Sequence, residues 1–201
     1  MENVLHKTKQ QLILATSELM DEVGVEEISA AMVLERTGTS KGSMYHFFED
    51  FADLLEATFL YRFAESVEAS DRFINSIIDQ AKNKKDFFTA LEKVTHATQA
   101  RSNSVIRFQR ARMLGRSERN ERFRKTLGQT QQQLTDSLTT IIQNAQDKGF
   151  VTASFEARTI AVFIQAYTLG KIVDDVTTTP MNDQDWDRLI TVIGNTVLAA
   201  E

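Results

Sequence analysis

A single proline, Pro180, stands in this chain of 201 residues. Proline removes a helical amide and clashes with the preceding turn, so its near-absence leaves almost the whole chain free to be helical. Apolar residues then recur at helical intervals. Over residues 9–23, Leu12, Ala15, Leu19, Met20 and Val23 share a face, and Gly24 supplies the stop. Ser29 is placed to cap a second helix that ends near Gly38, and Ser40 a third, over about 41–48. Three helices within about forty residues, joined by short turns, have the size of a helix-turn-helix module.

After Asp50 the helices lengthen. One stripe holds Leu54, Leu55, Thr58, Phe59, Arg62, Phe63 and Val67 and continues through Phe73, Ile74 and Ile77. Residues 83–86 read as a charged break, 87–100 and 105–114 as two further helices, and 115–117 as a joint. A long helix over 118–148 closes at Gly149, with Leu127, Leu134, Leu138 and Ile141 on its inner face. Residues 155–176 are apolar on nearly every face, which predicts burial on more than one side. The last helix starts near Asp183 and carries Trp186, Leu189, Ile190, Ile193 and Val197 at helical spacing. The expected fold class is all-α with nine helices and no strand.

Composition narrows the function. Hydrophobic residues at 42% and charged residues at 25% describe a globular chain. No cysteine is present, so disulfides, thiol nucleophiles and thiolate metal sites are excluded. No apolar run reaches membrane-spanning length and no leader pattern opens the chain, so the expected setting is the bacterial cytoplasm, without membrane contact. His6, His46 and His96 share no metal-ligand spacing, and no G-x-S-x-G elbow or glycine-rich phosphate loop occurs. Asp183, Asp185 and Asp187 resemble the opening of a calcium loop, but Arg188 stands where glycine is needed and Gly194 where glutamate is needed. Carboxylates at a helix start suit its dipole better. No catalytic residue, metal or cofactor is expected.

The segment from Ser29 to Phe48 carries the functional signal. Gly38 permits a tight turn, and the short helix after Ser40 is polar on one face through Lys41, Ser43 and His46. Such a helix suits entry into a DNA major groove. Lys9, Leu12, Ala15, Met20 and Gly24, then Ser29, Val33, Arg36, Gly38, Ser40, Gly42, Ser43, Met44, Tyr45 and Phe48, together resemble the head of the tetracycline-repressor (TetR) family over about fifty residues without a gap. The resemblance implies a DNA-reading head over residues 1–49 and a ligand-binding and dimerisation body over 50–201. It implies that Thr39, Ser40, Lys41 and Ser43 contact bases or phosphate, that Gly42 lets the backbone approach the groove, and that Tyr45, with His46 beside it, meets phosphate.

Three positions depart from the family pattern. Leu34 replaces a small alanine, Phe47 replaces a His or Tyr, and Phe51 replaces a phosphate-gripping lysine, with Glu49 and Asp50 just before it. Residues 1–55 hold four Lys/Arg against ten Asp/Glu, an awkward balance for a nucleic-acid partner. A helical adaptor that has lost DNA binding therefore stands as the alternative to a regulator of transcription.

For the body, the resemblance implies a twin-chain four-helix bundle. The sequence offers Ile160, Phe163, Ile164, Tyr167, Trp186, Ile190, Ile193 and Val197 for it, with Ala161, Ala166, Gly170 and Gly194 allowing close approach; an intramolecular core is the plainer use of the same residues. Pocket candidates for a small-molecule effector are Phe63, Phe88, Thr95, Gln109, Arg110, Met113, Gln131 and Tyr167, each otherwise ordinary core. Residues 101–125 hold nine Lys/Arg against Glu118 and Glu121. Capture of an anionic effector, pairing with the acidic head and a solvated face are the three uses open to that stretch. The expected mechanism is a repressor released from its operator when ligand favours another spacing of the two reading helices.

Overall fold

The computed structural model describes residues 2–78 and 80–200; the side chains of residues 2–6 and of Ile77 lie outside the description, and with them the readings of His6 and Ile77. Among the described residues the chain is helical without a strand, and it divides by contacts into two compact units, up to Ser66 and from Val67 onward.

The first unit holds α1 (Glu2–Glu22), α2 (Ala30–Thr37), α3 (Lys41–Phe47) and the first part of α4 (Phe51–Ile78). Leu12 and Leu19 of α1, Val33 of α2, Met44 of α3 and Leu54 of α4 are buried together, with Ile28 and Phe48 from the connections. Each fully buried side chain of this size contributes about 1.5–3 kcal/mol of transfer free energy. Thr16 and Thr58 are buried too, and each satisfies its hydroxyl by donating to the carbonyl four residues back, on Leu12 (2.7 Å) and Leu54 (2.8 Å). Arg62 joins α4 to α1 by donating to the Ser17 carbonyl (2.9 Å) and to Asp21 (2.7 Å).

The second unit holds α5 (Lys84–Gln99), α6 (Ser104–Ser117), α7 (Glu121–Asp147), α8 (Ala157–Gly170), the short α9 (Ile172–Asp175) and α10 (Asp183–Ile193), which runs on as a wider π turn to Leu198. α7 and α8 form its main pair. Along α7, Phe123, Leu127, Leu134, Leu138, Ile141, Ile142 and Ala145 are buried at three- and four-residue steps, the inner stripe that the sequence predicts. Phe87, Val151, Ala157 and Ile160 complete the core at one end. Gly149 takes a left-handed conformation (φ 70°) that closes α7, and Phe150 then donates its amide to the Ala145 carbonyl (2.8 Å). Beyond it, an isolated antiparallel bridge pairs Val151 with Ala199.

Several boundaries differ from expectation. The charged break at 83–86 is a cap: Asn83 accepts from the Asp86 amide (2.9 Å), so α5 begins at Lys84. Helix α6 runs through the expected joint to Ser117, and Asn120 caps α7 instead, accepting from Phe123 (2.9 Å). Nothing in residues 115–117 breaks a helix locally, since a lone glycine costs only about 1 kcal/mol there. The segment expected as one helix over 155–176 starts at Ala157 and is interrupted at Lys171.

Candidate functional site

Turn chemistry sets the α2–α3 unit. Ser29 accepts from the Met32 amide (3.4 Å) and starts α2. Gly38, at φ 64° and ψ 15°, takes the left-handed conformation that ends it, where a side chain would be strained. Thr37 donates its hydroxyl to the Val33 carbonyl (2.8 Å) and accepts from the Thr39 amide (3.3 Å). Ser40 then caps α3 by accepting from Ser43 (3.1 Å).

Helix α3 is seven residues long and is held from one side only. Met44 is fully buried and Phe48 nearly so, and these two anchor it in the core of the first unit. Their placement turns Ser40, Lys41, Gly42, Tyr45 and His46 outward, with Thr39 and Ser43 half-buried. Tyr45 is 43% exposed although it is a large aromatic, and the Lys41 ammonium lies 5.8 Å from its ring centroid. A Cβ built on Gly42 would meet only the Ser40 hydroxyl, at 4.0 Å, so the backbone there is open to approach. All seven residues expected to face DNA thus lie on or beside one exposed helix.

The three departures have packing roles. Leu34, Phe47 and Phe51 are partly buried against the cluster around Met44 and Leu54. The neighbouring acids cap α4. Asp50 accepts from the Asp53 amide (2.8 Å), while Asp53 accepts from the Glu49 amide (3.1 Å), a reciprocal pair that satisfies two donors at the helix start. On α2, Arg36 donates to both carboxylate oxygens of Glu22 (2.6 Å each), and this pairing holds the Glu22 carboxyl below its ordinary range.

The second unit encloses a cavity of about 150 Å³, lined mainly by aliphatic and aromatic side chains of α5, α7, α8 and α10. Of the expected pocket residues, Phe88, Thr95, Arg110 and Tyr167 are on its wall. Gln131 is behind the wall, accepting from Arg110 (3.4 Å) and donating to Gln165 (2.5 Å), which lines the cavity. Phe63, Gln109 and Met113 do not line it: Phe63 belongs to the first unit and Met113 is packed in the interior. Helical periodicity marks an inward face without saying whether that face meets core or cavity. Burial pushes the Tyr167 phenol up from its ordinary pKa, opposed by a hydrogen bond with Thr95, and burial lowers that of the Arg110 guanidinium.

The arginine-rich stretch is divided in use. Arg107 is buried and donates from Nε (2.5 Å) and an NH2 group (2.8 Å) to the Asp175 carboxylate, itself 1% exposed. Sequence reasoning missed Asp175, and it also missed Lys171, whose buried ammonium donates to the Gln99 carbonyl (2.5 Å) and to Asp183 (2.8 Å). Asp183 also accepts from Arg101 (3.2 Å), and Lys171, followed by Arg101, holds its carboxyl below the ordinary range.

The residues expected at a twin-chain face have different settings within the single chain. Ile160 is 2% exposed and sits in the chain's own core, while Ile164, Tyr167, Ile190 and Ile193 line the cavity. Trp186 is half-buried, donating Nε1 to Gln99 (3.0 Å). Only Phe163 and Val197 of the expected set are exposed. The apolar side chains that face outward are Val162, Phe163 and Val173 on α8 and α9, and Leu189, Val192 and Val197 on α10 and its π turn. Ala166 and Gly170 are exposed on the same helix as Val162, and a Cβ on Gly170 would touch nothing within 4 Å.

The first unit thus carries a helix-turn-helix with an outward polar helix, and the second is a helical body with a cavity. Residues 12–58 match the family model for bacterial regulatory proteins of the tetR family. That match lies in the head, and the chain as a whole has the fold of solved TetR-family structures. The transcriptional regulator BetI of Yersinia pestis (strain Pestoides F) is 47% identical over 53 residues, 26% of this chain and 27% of its own length. BetI of Serratia proteamaculans is 36% identical over 73 residues, 36% of this chain and 37% of its own. The matched stretches therefore span between about a quarter and two-fifths of these relatives. Among solved structures, a TetR-family regulator from Mesorhizobium loti aligns over 98% of both chains with a TM-score of 0.71 and 10% identity. A transcriptional regulator from Saccharomonospora viridis, in complex with choline, covers 98% of this chain and all of its own (TM-score 0.66, 12% identity). Across the described residues no helix is long and apolar enough to cross a membrane.

Proposed function

We propose that this chain is a ligand-responsive transcriptional regulator that binds operator DNA as a homodimer and, acting as a repressor, leaves it when a small molecule fills the cavity of the body. The observation that carries the reading is α3: its apolar residues Met44 and Phe48 are used up in anchoring it, and Lys41, Ser43, Tyr45 and His46 remain for a groove. The capping roles of Asp50 and Asp53 lessen the objection raised by the acidic head. One chain reads half a site, so two heads spaced about one DNA turn apart, roughly 34–36 Å, are required. The outward apolar surface of Val162, Phe163, Leu189, Val192 and Val197 supports pairing of α8 and α10 with a second copy.

The effector follows the same logic. The Saccharomonospora viridis protein is solved with choline, a cation; in the present chain a cation in the cavity would face Arg110.

Fluorescence anisotropy of the purified chain against fragments of DNA upstream of its own gene, across a salt series, tests the reading. Saturable binding that weakens with salt is expected. Lys41→Ala should weaken every fragment alike and reduce the salt slope by about 1, as removal of one phosphate contact does. Failure to bind any fragment at low salt would instead favour a helical adaptor that has lost DNA binding.

A further inference from the structure

We propose that the effector cavity takes a neutral, hydrocarbon-rich molecule the size of one benzene ring with a short substituent, and disfavours an ion of either sign. The inference rests on the reading of the body as an effector domain and names the class of ligand.

Three observations support it. The first is the wall. Ile74, Leu91, Leu138, Ile164 and Ile190 line it from α4, α5, α7, α8 and α10 in turn, and Phe88 adds an aromatic ring. The volume of about 150 Å³ equals that of an engineered cavity of similar lining that stays dry and accepts benzene. Water finds few partners in such a space, while each apolar group that leaves water for it is favoured.

Second, the polar groups of the wall are largely engaged by the protein itself. Thr98 donates to the Val94 carbonyl (2.8 Å) and Thr168 to the Ile164 carbonyl (2.7 Å), each within its own helix. Thr95 and Tyr167 share a hydrogen bond between α5 and α8. Gln165 donates to the Thr135 hydroxyl and the Ala161 carbonyl (3.2 Å each) and accepts from Gln131 (2.5 Å). The Arg110 guanidinium donates to the Gln131 side-chain oxygen (3.4 Å). A ligand that needs hydrogen bonds on several sides meets few open groups here. An ion that leaves its hydration shell without new partners loses more than burial returns. Ser70 and Thr191, both half-buried on the wall, are neutral hydroxyls that suit a single hydroxyl or carbonyl on the ligand.

Third, the way in favours neither charge. Phe88, Glu92 and Asn195 belong both to the cavity and to a groove outside it, which Lys84 and Lys85 also line. Both signs therefore stand at the mouth, and the path inward leads past one aromatic ring to hydrocarbon. A Cβ built on Gly194 would stand 3.9 Å from the Phe88 ring, so the ring lies close against the bare backbone of the π turn.

Fluorine NMR of fluorobenzene added to the full chain, with competitors displacing it, tests the inference. Toluene is expected to bind, and ethylbenzene about fourfold more tightly, as one further buried methylene provides. Benzoate and benzylammonium are close to ethylbenzene in size and are expected to bind at least about tenfold more weakly. Ile164→Phe and Ile190→Phe set a ring into the space from two different helices. Each should weaken toluene at least about tenfold while keeping or raising thermal stability, as filling a cavity does. If neither variant folds, the order of the wild-type affinities still decides. Either ion binding as tightly as ethylbenzene would overturn the inference. So would failure of all three hydrocarbons to bind, or unchanged toluene affinity in a folded filled variant. DNA anisotropy run in parallel separates the two readings: DNA binding by a chain that takes none of the hydrocarbons sinks the ligand class alone. Hydrocarbon binding by a chain that binds no DNA sinks the regulator and spares the ligand class.

Discussion

The two units of the chain bury different kinds of side chain. In the head, the buried apolar set is Leu12, Ala15, Leu19, Ile28, Val33, Met44, Phe48, Leu54, Phe59 and Phe63, and the polar exceptions, Thr16 and Thr58, are satisfied within their own helices. In the body, Arg107, Lys171 and Gln99 are buried and find partners far along the chain, at Asp175, Asp183 and Trp186. The body also holds a cavity of about 150 Å³. An apolar core with local polar satisfaction tolerates little rearrangement and makes a platform for α3. Buried ion pairs recover their desolvation cost only in one good geometry, so they add specificity more than stability. A cavity beside such pairs is where a bound molecule can favour one arrangement over another.

The largest effect that would test this contrast lies at the buried ion pair. Asp175→Asn leaves the Arg107 guanidinium, 3% exposed, without its counter-charge, and should cost about 3–5 kcal/mol in urea unfolding. A cost well under 1 kcal/mol would mean that water reaches the pair and that the two units are less different than they look. In the head, Met44→Ala removes a fully buried side chain and should cost about 2–5 kcal/mol, with the loss of protection from hydrogen exchange concentrated in α1–α3. Equal loss throughout the body would show that the units unfold as one.

A smaller effect belongs to the turn. Gly38→Ala places a Cβ in the left-handed region with nothing within 4 Å to clash, so the cost is backbone strain alone, about 1–2 kcal/mol, measurable by thermal denaturation. No loss would mean that the α2–α3 turn relaxes to another form. The smallest concerns acid. The Asp183 carboxyl is held low by Lys171 and then Arg101, so its contribution is complete above the unfolded carboxylate value of about 3.9 and is lost as pH falls through the lower native value. Asp183→Asn should flatten the acid limb of a stability-against-pH curve there and leave its slope near neutrality unchanged. Because Asp183 is partly exposed, solvent screens the effect and keeps it small.

How far each region could be read in advance follows from the range of its interactions. The head was legible because its signals are local: Ser29 and Ser40 cap, Gly38 turns, and Met44 and Phe48 alternate with Lys41, Tyr45 and His46 at helical spacing. The cavity was half legible, since Phe88, Thr95, Arg110 and Tyr167 line it while Phe63, Gln109 and Met113 share their pattern and do not. The outward face of α8 was not legible. A helix apolar all round gives periodicity no purchase, so Ile160 and Val162 look alike in sequence although one is buried and the other half exposed.

By itself, then, the sequence determined that the chain is helical, where most helices stop, and that a short polar helix follows Gly38, because these depend on backbone propensities and caps within a few residues. Tertiary structure alone decided that Arg107 meets Asp175, 68 positions away, and that Lys171 interrupts α8 to reach Gln99 and Asp183. It also decided which apolar side chains of α8 and α10 turn to the cavity and which turn outward. Those outcomes depend on which helix packs against which, and a charge or an aliphatic side chain carries no local mark of its distant partner.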